Sequence, residues 1–158
     1  MHRRKRNTFA FTALAWLSFV LALSFVLVAL FNAKWELVEK GYYAACTLWV
    51  ISAAIVLQKV VRDNEEDKDM YGEGGSRKRN TFAFTGLAWA SFLLALGFIL
   101  VALWNADWPL VEKGYYAGCT LWAISASIVL QKVVRDNEED KDFFPPTHSE
   151  DTKFDLKS

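Results

Sequence analysis

Four stretches without charge, Asn7 to Ala33, Gly41 to Gln58, Asn80 to Ala106 and Gly114 to Gln131, alternate with segments crowded with Asp, Glu, Lys and Arg. A soluble domain scatters its charges along the solvent faces of its helices. The segregation here predicts an all-α membrane protein with four transmembrane helices. Between Phe9 and Phe31 there are 14 Leu, Phe or Val residues, which on the insertion scale favours the bilayer by about 4 to 8 kcal/mol. Gly41 to Gln58 is weaker, with Leu48, Val50, Ile51, Ile55, Val56 and Leu57 as its strongly apolar residues, or about 2 to 3 kcal/mol by the same scale. It spans roughly 27 Å as a helix against a hydrocarbon core of about 30 Å, and Lys59 can snorkel across the difference. Its Ala44, Ala45, Cys46, Thr47, Ser52, Ala53 and Ala54 suit packing against protein, which places the second and fourth helices towards the centre.

The first two apolar runs are joined by Asn32-Ala33-Lys34-Trp35-Glu36-Leu37-Val38-Glu39-Lys40-Gly41-Tyr42-Tyr43, and the last two by Asn105 to Tyr116 in nearly the same residues. The second helix of each pair starts near Glu36 or Pro109, residue types favoured in a first helical turn. So short a connection predicts antiparallel, adjacent helices within each hairpin. Trp35, Tyr42, Tyr43, Trp108, Tyr115 and Tyr116 form an aromatic belt at that surface. Trp16, Trp49, Trp89 and Trp122 lie too deep for a belt, so packing or a lined cavity must account for them.

Arg4 to Asp69 and Arg77 to Asp142 agree at 55 of 66 positions, which makes the chain a tandem duplicate. Each hairpin enters and leaves on one side, so the expected fold is two tandem parallel helical hairpins about an axis along the membrane normal, not an inverted repeat. The first repeat is expected over residues 1–69, with helices at about 8–32 and 36–62. The second is expected over 77–142, with helices at about 81–105 and 109–135. Val60 to Ser76, with Gly72, Gly74 and Gly75, reads as a solvated linker whose unrepeated part is 70–76. Residues 143–158, with Pro145-Pro146, read as a disordered cytoplasmic tail.

The 18 basic residues balance the 18 acidic ones, but they are unevenly placed. Leader, linker and tail carry 15 Lys and Arg, whereas the two turns carry Lys34, Lys40 and Lys113. Positive-inside then places both termini in the cytoplasm and both turns outside. The basic leader followed by an apolar run mimics a signal peptide, but the run is too long, and leader and run recur at Arg77 to Trp104. Cys46 and Cys119 occupy equivalent places within apolar runs and read as small apolar residues, not a disulfide framework.

Helix 1 carries Thr8, Phe11, Ala15, Ser18, Ala22, Phe25, Ala29 and Asn32 at spacings of three and four, and Thr81 to Asn105 repeat the stripe with Ala88, Ser91 and Ala95 at its centre. Such seams let membrane helices approach closely. Gly114 and Gly118 have the GxxxG spacing, with Gly41 and Ala45 opposite them in the first copy. They fit either packing inside the hairpin or a contact between chains.

Asn32-Ala33, Glu39-Lys40-Gly41-Tyr42-Tyr43, Gln58-Lys59 and Arg62-Asp63 resemble the YiaA/YiaB two-helix family of bacterial inner-membrane proteins. The second copy, from Leu103-Trp104-Asn105-Ala106 through Glu112-Lys113-Gly114-Tyr115-Tyr116 to Gln131-Lys132 and Arg135-Asp136, is still more similar. Phe31 departs from the Trp that the family favours and that Trp104 provides. The resemblance implies a multi-pass protein of the bacterial inner membrane with unassigned activity, and it supplies no catalytic residue.

Two motifs remain as candidate sites. Glu39, Lys40, Gly41, Tyr42, Glu112, Lys113, Gly114 and Tyr115 lie at the outer face and serve either as interfacial anchors or as a binding site where the repeats meet. Gln58, Lys59, Arg62, Asp63, Gln131, Lys132, Arg135 and Asp136 lie at the inner face, as caps and snorkels or as a grip on a lipid headgroup or cytosolic partner. The histidines, His2 and His148, are both in the tails, which leaves no His-based metal site or general base in the membrane. No enzymatic activity, cofactor or metal is expected, and no nucleic-acid partner. The absence of ionisable residues within the apolar runs argues against a proton-driven pump. The expected role is a structural or interaction unit that forms a homo-oligomer or scaffolds another membrane protein in the lipid bilayer. The alternative is a small pore lined by Thr12, Ser18, Thr47, Ser52 and the deep tryptophans.

Overall fold

The computed structural model describes residues 7–71 and 80–143. The basic leader, the glycine-rich stretch from Gly72, the two histidines and the tail from residue 144 lie outside them. Four helices follow in order: α1 (Phe9–Asn32), α2 (Leu37–Tyr71), α3 (Phe82–Asn105) and α4 (Leu110–Phe143). All four are long and apolar enough to cross a membrane.

Local chemistry sets the ends of these helices. The Thr8 and Thr81 hydroxyls accept from Phe11 N at 3.3 Å and Phe84 N at 3.2 Å, each satisfying an orphan amide at a helix start. At the far end of α1 and α3 the Asn32 and Asn105 amides donate to the carbonyls of Val28 and Val101, both at 2.8 Å. The turns that follow are four residues long, 33–36 and 106–109.

α2 and α4 run well past the membrane-compatible stretch. Where the charge pattern read as linker from Val60, α2 continues to Tyr71, and α4 passes residue 135 to reach Phe143. The reason lies in the spacing of the charges. Arg62 Nε pairs with Glu66 at 3.1 Å, Arg135 Nε with Glu139 at 3.2 Å, and Lys132 with Asp136 at 3.6 Å, each four residues apart on one face. Pairs at that spacing support a solvated helix, and no helix breaker intervenes before Gly72. The 35 residues of α2 extend about 52 Å, so about 20 Å projects beyond a hydrocarbon core of about 30 Å.

Packing pairs the helices differently from chain order. α1 packs most extensively on α4, α3 on α2, and α2 lies beside α4, whereas α1 touches α2 and α3 touches α4 only lightly. The helices of each hairpin are adjacent, as the short turns require, but the main partner of each outer helix comes from the other repeat. A four-residue turn holds two helix ends together but does not choose which faces pack along their length. The seam of α1 finds its complement on α4, from the other repeat.

The cross-repeat bonds come in equivalent pairs at three levels. Trp122 Nε1 donates to Ser18 Oγ and Trp49 Nε1 to Ser91 Oγ, both at 3.0 Å. The Tyr115 hydroxyl donates to Phe25 O at 3.1 Å and that of Tyr42 to Phe98 O at 3.0 Å. Asn137 Nδ2 donates to Thr12 Oγ1 at 3.1 Å and Asn64 Nδ2 to Thr85 Oγ1 at 3.3 Å. Residue numbers rise on one helix as they fall on the other, so both pairs are antiparallel. The molecule is thus two tandem hairpins related by a pseudo-two-fold axis between α2 and α4. Of the most apolar stretch of each helix, 44% is buried in α2 and α4 but 22% in α1 and α3. The second and fourth helices do form the centre.

Candidate functional site

At the turn end, the seam between α2 and α4 closes with aromatic rings. Trp35 and Trp108 stack with centroids 4.2 Å apart and planes 6° from parallel. Tyr43 lies 5.1 Å from Trp35, and Tyr116 lies 5.4 Å from Trp108. Beside this stack a cavity of about 660 Å³ opens between the end of α1 and the start of α4, lined by Ala29, Asn32, Ala33, Lys34, Trp35, Val111, Glu112, Tyr115 and Tyr116.

The turn-end motif divides by role. Lys40 Nζ reaches back to Phe31 O at 3.2 Å, and Lys113 Nζ to Trp104 O at 3.3 Å. Each ammonium thereby satisfies a carbonyl at the negative end of the preceding helix. The Glu39 carboxylate accepts from Glu36 N at 3.3 Å, half of a capping box at the start of α2. Glu112 stands in the same place in α4, but Pro109 offers it no N–H. Pro109 O accepts from Glu112 N at 3.0 Å and Lys113 N at 3.2 Å. Tyr42 and Tyr115 form the cross-repeat bonds already described. Gly41 and Gly114 bring no backbone close, since a Cβ at either meets nothing within 4 Å.

At the end carrying the termini, the arginines are already engaged. Arg62 lies between Asp63 at 3.4 Å and Glu66 at 3.1 Å. Arg135 lies between Asp136 at 3.3 Å and Glu139 at 3.2 Å. These clusters are charge-compensated along their own helices, and Lys132 shares Asp136. Asp63 is buried, and the Gln58 and Gln131 Oε1 atoms are buried without a hydrogen-bond partner.

Sequence reasoning missed the asparagines that tie this end together. Besides the Thr12 bond, Asn137 Oδ1 accepts from Asn7 Nδ2 at 3.3 Å, and Asn64 Oδ1 accepts from Asn80 Nδ2 at 3.4 Å. The available signal was an uncharged amide repeated inside each charged run, which a linker does not require.

The packing residues also divide. Ala15, Ala22, Ala88 and Ala95 are buried, and Ala22 and Ala95 are wholly inaccessible. Ser18 and Ser91 accept the deep indole N–H groups. Phe11 and Phe25, from the same stripe, are exposed. Gly114 and Gly118 do not pack inside the hairpin: both are exposed, and a Cβ on either meets nothing within 4 Å.

The residues considered for a pore do not converge. Thr12 and Ser18 are bonded across the α1·α4 seam, Thr47 is buried, and Ser52 is exposed with its hydroxyl on Trp49 O at 2.9 Å. Ser18 does line a cavity of about 210 Å³ with Phe11, Leu14, Ala15, Trp122, Ser125, Ala126 and Val129.

Compared with known proteins, the chain matches twice the model of a family described as yiaA/B two helix domain, over residues 11–63 and 84–136. It is 32% identical to the inner membrane protein YiaA of Escherichia coli (strain K12) over 127 residues, which cover 80% of this chain and 81% of that protein. It is 43% identical to the uncharacterized membrane protein YubF of Bacillus subtilis (strain 168) over 79 residues, 49% of this chain and 91% of that protein. No solved structure matches the chain significantly.

Proposed function

The chain belongs to the yiaA/B two helix domain family, and from that premise we propose that it is a non-enzymatic, multi-pass unit of the bacterial inner membrane. Its two hairpins act as one body, and its open glycine faces associate with a second copy or another membrane protein. The observation that carries this reading is the division of the small residues. Ala15, Ser18 and Ala22 of α1 and Ala88, Ser91 and Ala95 of α3 are consumed inside the chain, whereas Gly114 and Gly118 stand on an uncovered helix face. Small residues in such a position let another helix come close.

Cross-linking in native membranes and native mass spectrometry in nanodiscs test the reading. A dimer or a defined hetero-complex that is lost in G114L/G118L supports it, and a monomer under every cross-linker refutes it. The uneven distribution of Lys and Arg supports both termini in the cytoplasm. Single cysteines placed at Lys34 and at His2 should react with impermeant maleimide from opposite faces.

A second reading, a small pore, draws on the cavity beside Ser18 and Ser125. It requires solute or ion flux in proteoliposomes, and vesicles sealed under each gradient remove it.

A further inference from the structure

We propose that the turn-end cavity is a binding site for a zwitterion of the phosphoethanolamine type, presented by an aminophospholipid headgroup in the leaflet that faces the turns. Its walls carry one charge of each sign, Lys34 and Glu112, and these two side chains make no ion pair with each other. A ligand carrying both an ammonium and a phosphate bridges them. The ammonium donates to the Glu112 carboxylate beside the Trp35 and Tyr116 rings, whose quadrupoles attract a cation. The phosphate accepts from the Lys34 ammonium. The stack of Trp35 on Trp108 holds one wall in place before any ligand arrives, and about 660 Å³ is ample for such a headgroup.

Glu112 is free for this role because of one residue. In α2 the equivalent carboxylate is held by the Glu36 N–H. In α4 that position is Pro109, which has no N–H to give. Of the eleven positions at which the repeats differ, only 34/107 and 36/109 fall in the turns. Both bear on this site. The pseudo-symmetry-related place has Asp107 where the cavity has Lys34, and its Glu39 is committed to capping. One zwitterion site per chain follows, not two.

The rim identifies the source. Val111 lines the cavity and is 83% exposed, and Phe31 and Leu110, each next in the chain to a lining residue, are each 84% exposed. Large apolar side chains left bare next to charged ones mark the depth where headgroups meet acyl chains.

The experiment is native mass spectrometry of the full chain exchanged into equimolar phosphatidylethanolamine, phosphatidylglycerol and phosphatidylcholine with identical acyl chains. The expected result is one phosphatidylethanolamine retained per chain, about tenfold over either competitor, corresponding to about 1.4 kcal/mol. K34Q and E112Q should each abolish that preference while circular dichroism stays unchanged, and D107N should leave it intact. E36P/D107K frees Glu39 and supplies the missing cation, so it should bind a second phosphatidylethanolamine. If the lipids are retained equally but free phosphoethanolamine quenches tryptophan fluorescence in wild type and not in E112Q, the site stands and its ligand is soluble. Equal retention together with no response to free phosphoethanolamine overturns the proposal, as does a preference that survives both K34Q and E112Q.

Discussion

The pairing of α1 with α4 makes a quantitative claim about two serine and tryptophan partners. Ser18 Oγ accepts from Trp122 Nε1 at 3.0 Å, across the repeats, whereas hairpin-wise packing would set Ser18 against Trp49. Both indoles lie at depths where water does not compete. Interhelical hydrogen bonds in a bilayer nevertheless average only about 0.6 kcal/mol and reach about 1.7, because the separated helices find other partners. At 3.0 Å the bond is close to ideal length for an N–H donor and hydroxyl acceptor, so a coupling of about 0.6 to 1.5 kcal/mol is expected, or about 3- to 12-fold in the unfolding constant. S18A and W122F are combined in a double-mutant cycle, with unfolding by sodium dodecyl sulfate in mixed micelles followed by circular dichroism. W122F also alters the ring contact with Phe25, whose centroid lies 5.9 Å away, but the cycle cancels that loss because it appears in both backgrounds. The same cycle on Ser18 and Trp49 should give less than about 0.3 kcal/mol. Coupling to Trp49 as large as to Trp122 would refute the cross-repeat arrangement. S91A with W49F offers an independent repetition in the other half.

Further outcomes follow from the same structure. Cutting the chain between Gly74 and Gly75 should leave halves that co-purify from mild detergent and migrate as one body; halves that separate freely would contradict the shared core. A95L, at a position with no accessible surface, should destabilise by about 1 to 3 kcal/mol through overpacking, whereas G118A on the open face should leave the SDS midpoint of the isolated chain unchanged or slightly raised. E39A should lose about 0.5 to 1 kcal/mol by removing the α2 cap, and E112A should lose less, since Pro109 gives its carboxylate no amide to hold.

The four spans, their parity and the central position of α2 and α4 were legible in the residues. Each rests on transfer of side chains and backbone between water and hydrocarbon, a property that sums along the chain and needs no partner. The aromatic cluster at the turn end was legible from its place in the two joining segments, but as a belt at the membrane surface and not as the core it forms. Its stacking was not, because Trp35 and Trp108 are 73 residues apart and meet only once the repeats do. The helical extensions past residues 62 and 135 were obscured by their charge. A run of mixed charge reads as linker by composition and as helix by its spacing of four, and the ion pairs of Arg62 and Arg135 decide for helix. Asn64 and Asn137 were hidden inside those runs.

Hydropathy and duplication specify how many helices cross, in which order, and that two equivalent halves share one fold. They cannot specify which half's second helix receives Ala15, Ser18 and Ala22, because Ser52 and Ser125, Trp49 and Trp122, and Asn64 and Asn137 are identical candidates within the chain. Tertiary packing broke that degeneracy in favour of the other repeat. It also turned two turn substitutions, Lys34 against Asp107 and Glu36 against Pro109, into one cavity with an uncommitted carboxylate. Burial free energy depends on residue type and depth, whereas the choice of partner depends on the shape and hydrogen-bond complementarity of faces that are joined only in three dimensions.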